Sequence, residues 1–364
     1  MPRNVLKSNN SIMLITESPS FSTETKTGIL FGGVTSTDFS FDLDRQTTKQ
    51  IGSQRFATNT INRHPDVNFN VDYIFNPTLT NETLLGFFIE TPTGGGHALK
   101  NMNNKNYNFS LINHPQEGRD ALSVYSSSTQ QFSGFEAISF GNAFLNNYSV
   151  GYSIGQLPIV QTNFSASNIK YEKLTGSITK SPAINLQNGN NELVGDLVFS
   201  GYNSTPDQSG KTPNFTRPSD LTLSLKNLQV GGQNLSGQHF VQSFDMSLDF
   251  GRVNLYGLGS DYVYDRKLQF PMNGSVSVSS LVSGFLSGQS SGLLTSESGY
   301  NLALQFVDTT QKHTGTFEIE DARLQNYDYT LGVNQSMAFN AQFSFESTND
   351  KGLRISGRHG PDII

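Results

Sequence analysis

The chain has no cysteine and no tryptophan in 364 residues. The first absence rules out a disulfide framework and any thiolate nucleophile or metal ligand. Charge is sparse too: 15% of residues, with 24 Lys and Arg against 30 Asp and Glu, for a net charge of −6. A protein that grips nucleic acid needs cations to neutralise phosphates, and here the basic residues are not interleaved with the aromatic ones. No run of eighteen apolar residues occurs, so no membrane-spanning helix is expected. The opening residues, Met1 to Asn10, lack the apolar centre of a secretory signal and read as the start of a chain made in a cytoplasm.

What the chain does contain is Phe (27), Tyr (13) and Gly (34), with much Val, Leu, Ile, Asn, Ser and Thr. Aromatic and β-branched side chains suit a pleated, half-buried surface, so an all-β protein with many turns is expected. Apolar residues alternate along 67–75, 221–225 and 274–279. The length points to two or three domains.

Three stretches of the first half recur, in order, in the second. Residues 40–45 and then Gly52-Ser53 return as 247–252 and then Gly259-Ser260, 207 positions on. Residues 106–111 return as 299–304, 193 positions on. Residues 145–148 and 163–165 return as 324–327 and 342–344, 179 positions on. One such match arises easily in a chain rich in Asn, Ser, Gly and Phe. Three in order, with internal spacing kept, predict a duplicated domain. The expected division is 1–165 for the first copy, 166–350 for the second with a loop insertion at 201–220, and a C-terminal tail at 351–364.

Strands are read at 12–15, 28–31, 39–43, 67–75, 107–112 and 160–164. Residues 135–144 and 148–154 read as two strands flanking a turn at Asn146-Asn147. Residues 45–64 and 251–267 read as long loops. A short helix opens at Asn81 and is matched by 281–286. The second copy is expected to hold strands at 174–178, 193–199, 316–320, 327–333 and 338–345. Two sheets packed face to face satisfy this pattern in each copy.

Chemical motifs are weak. The six histidines are scattered, with none at zinc-ligand spacing. Gly94-Gly95-Gly96-His97 lacks the Lys-Ser/Thr ending of a phosphate loop and reads as a loop tip. Glu318 and Glu320 share one strand face and read as solvated, since a glycosidase pair needs a second acid across a cleft. No catalytic, cofactor-binding or metal-binding residue is assigned, and an enzyme is not expected.

Residues 243–252, 255–260, 266–271 and 319–334 resemble the tail tube proteins of long-tailed bacteriophages. The resemblance covers 220–345 well and 35–165 less well. It implies two tandem tail-tube-like β-sandwich domains, each with a short flanking helix and a long loop. It also implies a virion structural protein whose sheets join edge to edge, giving homotrimeric, pseudo-hexameric rings that stack into a tube passing genome DNA. Further partners implied are the tape measure, tail terminator, baseplate and sheath proteins, with transient passage of DNA and no membrane insertion. The loops at 45–64 and 251–267 are then the candidate ring-to-ring contacts, through Arg45, Lys49, Arg55, Arg252, Tyr256, Asp261 and Tyr264. The first copy departs from the second in carrying Thr47-Thr48-Lys49-Gln50 and lacking Leu255-Tyr256-Gly257-Leu258. Alternatives are another tail component (baseplate hub, terminator or decoration protein) or a carbohydrate-binding β-sandwich, which would want exposed Trp or Tyr platforms.

Overall fold

The computed structural model describes residues 11–42, 45–49, 51–52, 56–61, 66–76, 79–90, 96–114, 122, 125, 132–186, 192–199, 221–226, 229–230, 233–234, 240–257, 262–281, 299–307, 314–330 and 338–357. Its first half runs β1 (Ser11–Glu17), β2 (Thr25–Thr27), β3 (Ile29–Leu30), β4 (Val34–Asp42), β5 (Arg45–Lys49), β6 (Phe56–Ile61) and β7 (Asp66–Ile74). Then come α1 (Thr80–Leu84), β8 (Ile89–Glu90), β9 (Tyr107–Asn113), β10 (Glu136–Ser153), β11 (Ile159–Ala166), β12 (Asn168–Lys173), β13 (Ile178–Lys180) and β14 (Asp196–Val198). The rest runs β15 (Leu221–Lys226), β16 (Gln229–Val230), β17 (Gln233–Asn234), β18 (Phe240–Asp249), β19 (Arg252–Tyr256) and β20 (Val263–Leu268). It ends with β21 (Met272–Leu281), β22 (Tyr300–Val307), β23 (Thr314–Thr330), β24 (Ala338–Ser347) and β25 (Leu353–Gly357). The protein is all-β, as its composition predicts.

One antiparallel sheet of eight strands spans the molecule in the order β4-β7-β11-β10-β18-β21-β24-β23. Behind it lie two smaller layers. The first is β3-β1-β9-β10-β12 and the second β15-β22-β23-β25-β8. The long strands β10 and β23 each belong to the eight-stranded sheet and to one smaller layer. The N-terminal part of β10 pairs with β9 and β12, and its C-terminal part pairs with β11 and β18. Each long strand turns the corner at a residue with positive φ, Asn142 (50°) and Asp321 (56°), where pairing skips. Asn and Asp tolerate this left-handed backbone better than most residues. At both corners the amide is held by an Asn carboxamide oxygen: Asn142 N–H donates to Asn108 Oδ1 (3.2 Å) and Asp321 N–H to Asn301 Oδ1 (3.3 Å).

The core lies between the layers. Phe69 stacks on Phe140 (4.3 Å) and Phe164 (5.0 Å) and meets the edge of Phe109 (5.3 Å). Phe75 carries the core across to the second half, edge-on to Phe306 (4.6 Å) and Phe317 (5.8 Å). The segment around α1 fills the space between the halves. Leu79, Leu85, Phe87, Leu99 and Met102 are all buried there, and Ala98 N–H donates to the Leu353 carbonyl (2.9 Å).

Several local expectations are corrected. Within the loops expected at 45–64 and 251–267, the described residues form antiparallel strand pairs, β5·β6 and β19·β20. Asn146-Asn147 is not a turn but a β-bulge inside β10, where pairing with β11 shifts between Leu145 and Asn147. The strands expected at 316–320 and 327–333 are one strand, β23, as far as Thr330. Residues 353–357, expected in a tail, form β25, with Leu353 and Ile355 fully buried. The boundary expected at 165/166 falls inside β11 (Ile159–Ala166), and β11 and β12 both pair with β10. Strand β14 also runs parallel to β2, extending the first half's layers to Val198. The loop at 201–220 and the helix at 282–286 lie outside the described residues, and Leu281 ends β21.

Candidate assembly surface

One face of the eight-stranded sheet packs on the core, and the other is open. Alternation places Val67, Phe69, Val71 and Tyr73 inward and Asn68, Asn70 and Asp72 outward on β7. The same parity on every strand gives an open face of Asn, Ser, Gln and Asp. The acids at outward register positions whose side chains are described are Asp38, Asp42, Asp72, Asp245, Asp249, Asp328 and Glu346. Arg323 is the single base among them. The polar side chains also bond to each other across strands. Asn146 Nδ2 donates to Asn163 Oδ1 (3.2 Å), Asn163 Nδ2 to Asn70 Oδ1 (2.7 Å), and Asn70 Nδ2 to Asp38 Oδ1 (2.7 Å). Partial burial raises the Asp245 carboxyl above its usual value.

The sheet ends in two edges, β4 and the 323–330 part of β23, and neither has an outer strand partner among the described residues. Strand β4 leaves Phe39 and Phe41 exposed (39% and 47%).

The candidate contact residues fall in several places. Arg45 and Lys49 lie on β5, Tyr264 on β20, and Arg55 and Asp261 outside the described residues. Tyr256 is exposed at the end of β19 (63%). Arg252 is not a free contact. Its Nε–H donates to the Leu145 carbonyl (2.8 Å) and Nη1–H to the Arg266 carbonyl (2.9 Å), with Nη2–H toward Met102 O (3.3 Å). It also sits over the Phe144 ring (5.2 Å), and burial lowers its pKa to about 10. Its role is to tie the base of the second hairpin to β10 of the first half.

Glu320 is paired with Arg354 (3.0 Å) and partly exposed. His97 is half-buried, with Nδ1 lacking a partner, and His114 packs on Phe135 (4.4 Å). His64, His239, His313 and His359 lie outside the described residues, as does Gly288-Gln289-Ser290-Ser291-Gly292, which fits a nucleophile-elbow pattern. The sequence reading missed Glu82 on α1. Its Oε1 accepts from Tyr73 (2.9 Å) and Tyr148 (3.2 Å), while Oε2 is buried and unpartnered. Burial raises this carboxyl to about 7. Among the described residues no helix is long and apolar enough to cross a membrane.

Compared with known proteins, the chain matches no family model and no curated relative.

Proposed function

We propose that this protein is a structural subunit that assembles through its sheet edges into stacked rings, forming the tail tube of a bacteriophage virion. The observation that carries the reading is the open sheet: eight strands wide and, among the described residues, bare at both edges, with an outward face of seven acids to one base. Unpaired edges are templates for another chain, and closing many strands into a barrel leaves a channel. An acidic wall repels phosphates, so a duplex passes without sticking. The duplicated sequence blocks fit a subunit that fills two equivalent places in a pseudo-sixfold ring of three chains. The strand pairs β5·β6 and β19·β20 follow β4 and β18 at equivalent places in the two halves and are assigned the ring-to-ring contacts.

Negative-stain microscopy of concentrated protein tests the proposal. Tubes are expected from the intact chain. Deleting 48–60, in the first hairpin, should leave folded protein that no longer polymerises. Closed rings that never stack would favour a terminator or hub, and a persistent monomer would end the self-assembly reading.

A further inference from the structure

The structure contains a template for its own assembly contact. Strand pairings of the first half recur in the second at the offsets seen in the sequence. Ser40 pairs with Asn68 and Ser247 with Ser275, each 207 positions on. Leu145 pairs with Phe164 and Leu324 with Phe343, each 179 positions on. Irregularities recur too: the register shift at Val34/Ser36 matches that at Val241/Ser243, and Leu145/Asn147 matches Leu324/Asn326. Thus β4 corresponds to β18 and β10 to β23. Inside the chain, β10 and β18 are paired antiparallel, with Asn147 opposite Asp249, Tyr148 opposite Leu248 and Ser149 opposite Ser247. The counterparts of these two strands are the two bare edges of the sheet.

We propose that β23 of one chain pairs with β4 of the next in the register of the internal junction: Asn326 opposite Asp42, Tyr327 opposite Phe41 and Asp328 opposite Ser40. The proposal rests on the self-assembly reading and fixes its geometry. Charge selects this register. It sets Asp42 opposite an amide, Asp328 opposite a hydroxyl, and Asp38 opposite Thr330. A slip of two residues one way puts Asp328 against Asp42, and the other way against Asp38. Like charges directly opposite are destabilising. A slip of one turns the apolar residues outward.

A second observation gives the same polarity. Strand β25 is covered by β8, which comes from the first half, while its counterpart β12 pairs only with β10 among the described residues. Both covers that the first half gives the second are thus lacking on the first half. A second copy joined head to tail repeats the junction, and such a contact closes rings or runs on as a filament. Arg45 stands at the place of Arg252, whose guanidinium binds the Leu145 carbonyl across the internal junction. The corresponding acceptor is the Leu324 carbonyl of the next chain.

The absence of cysteine allows a direct test. Ser149→Cys with Ser247→Cys should close a disulfide within one chain and calibrate the geometry. Ser40→Cys with Asp328→Cys should link chain to chain under mild oxidation, giving a ladder on a non-reducing gel. Ser40→Cys with Asn326→Cys, opposite only after a two-residue slip, should link at least tenfold less, because diagonal positions stand too far apart. Arg45→Ala should reduce the assembled fraction severalfold while the monomer's melting is unchanged. Rings or tubes that form without the Ser40–Asp328 link, or that link equally through Asn326, would overturn the register and leave self-assembly standing. An intact chain that stays monomeric when concentrated would overturn both.

Discussion

Strands β4 and β18 occupy the same place in two halves of one molecule, yet their inward residues have opposite fates. Leu248 and Met246 on β18 are 0% and 1% exposed, whereas Phe41 and Phe39 on β4 are 47% and 39% exposed. Both strands have an inner partner in the same register, β21 for one and β7 for the other. The difference is the outer neighbour. Strand β18 has β10 beside it, and β4 has no outer strand among the described residues. Exposure of a large apolar side chain here reports a missing neighbour rather than a surface position.

That comparison can be broken by substitution. Leu248→Asp buries an unpaired carboxyl and should cost about 4 kcal/mol or more, read by denaturant unfolding. Phe41→Asp at the equivalent site should change the monomer's stability by less than about 1 kcal/mol and abolish assembly. Equal effects at the two sites would mean that β4 is covered.

The halves should also differ in pH response. Glu82 draws on Tyr73, and in the second half Ser280 stands at the place of Tyr73. Its folded pKa, about 7, lies above the ordinary carboxyl value of 4.5. Between those values the folded chain holds a proton that the unfolded chain has released, so stability falls as pH rises through that window. The loss is about 3 kcal/mol at ~1.4 kcal/mol per pKa unit. Glu82→Gln should flatten stability between pH 5 and 7.5, and an unchanged slope would locate the titration elsewhere.

The smallest contrast is at the two corners. Asn108 is buried, supports Asn142, accepts from the Ser18 hydroxyl (2.9 Å) and donates to Ser181 Oγ (3.0 Å). Asn301 is exposed and supports Asp321. Asn108→Ala should cost about 2 kcal/mol and Asn301→Ala less than about 1 kcal/mol in the same unfolding assay.

These corners explain why part of the fold was legible. The repeated Tyr-Asn of Tyr107-Asn108 and Tyr300-Asn301 survives where an Asn must hold a strained amide. The repeated Leu-x-Asn of Leu145 and Leu324 marks a bulge in each half. The same chemistry misled the local reading, because turns and bulges favour the same residues, and Asn146-Asn147 signals either. The hairpins were missed for a different reason. Thr47, Thr48, Thr58 and Asn59 offer no apolar alternation, so nothing in their pattern announces a strand. Strand β25 is only five residues long and too short for periodicity to register. Glu82 was invisible because its environment comes from Tyr73 and Tyr148, brought together by the sheet rather than by spacing.

The amide relay on the open face has a consequence for the sheet itself. Asn146, Asn163 and Asn70 each commit a side-chain N–H to the next oxygen, and the row ends on the Asp38 carboxylate. One amide hydrogen of each asparagine is thereby committed within the row, and the carboxylate at its end accepts the last of them. The row therefore stiffens the open face from within: each amide fixes the rotamer of its neighbour across a strand boundary, so the sheet's outer surface is ordered by side chains as well as by backbone.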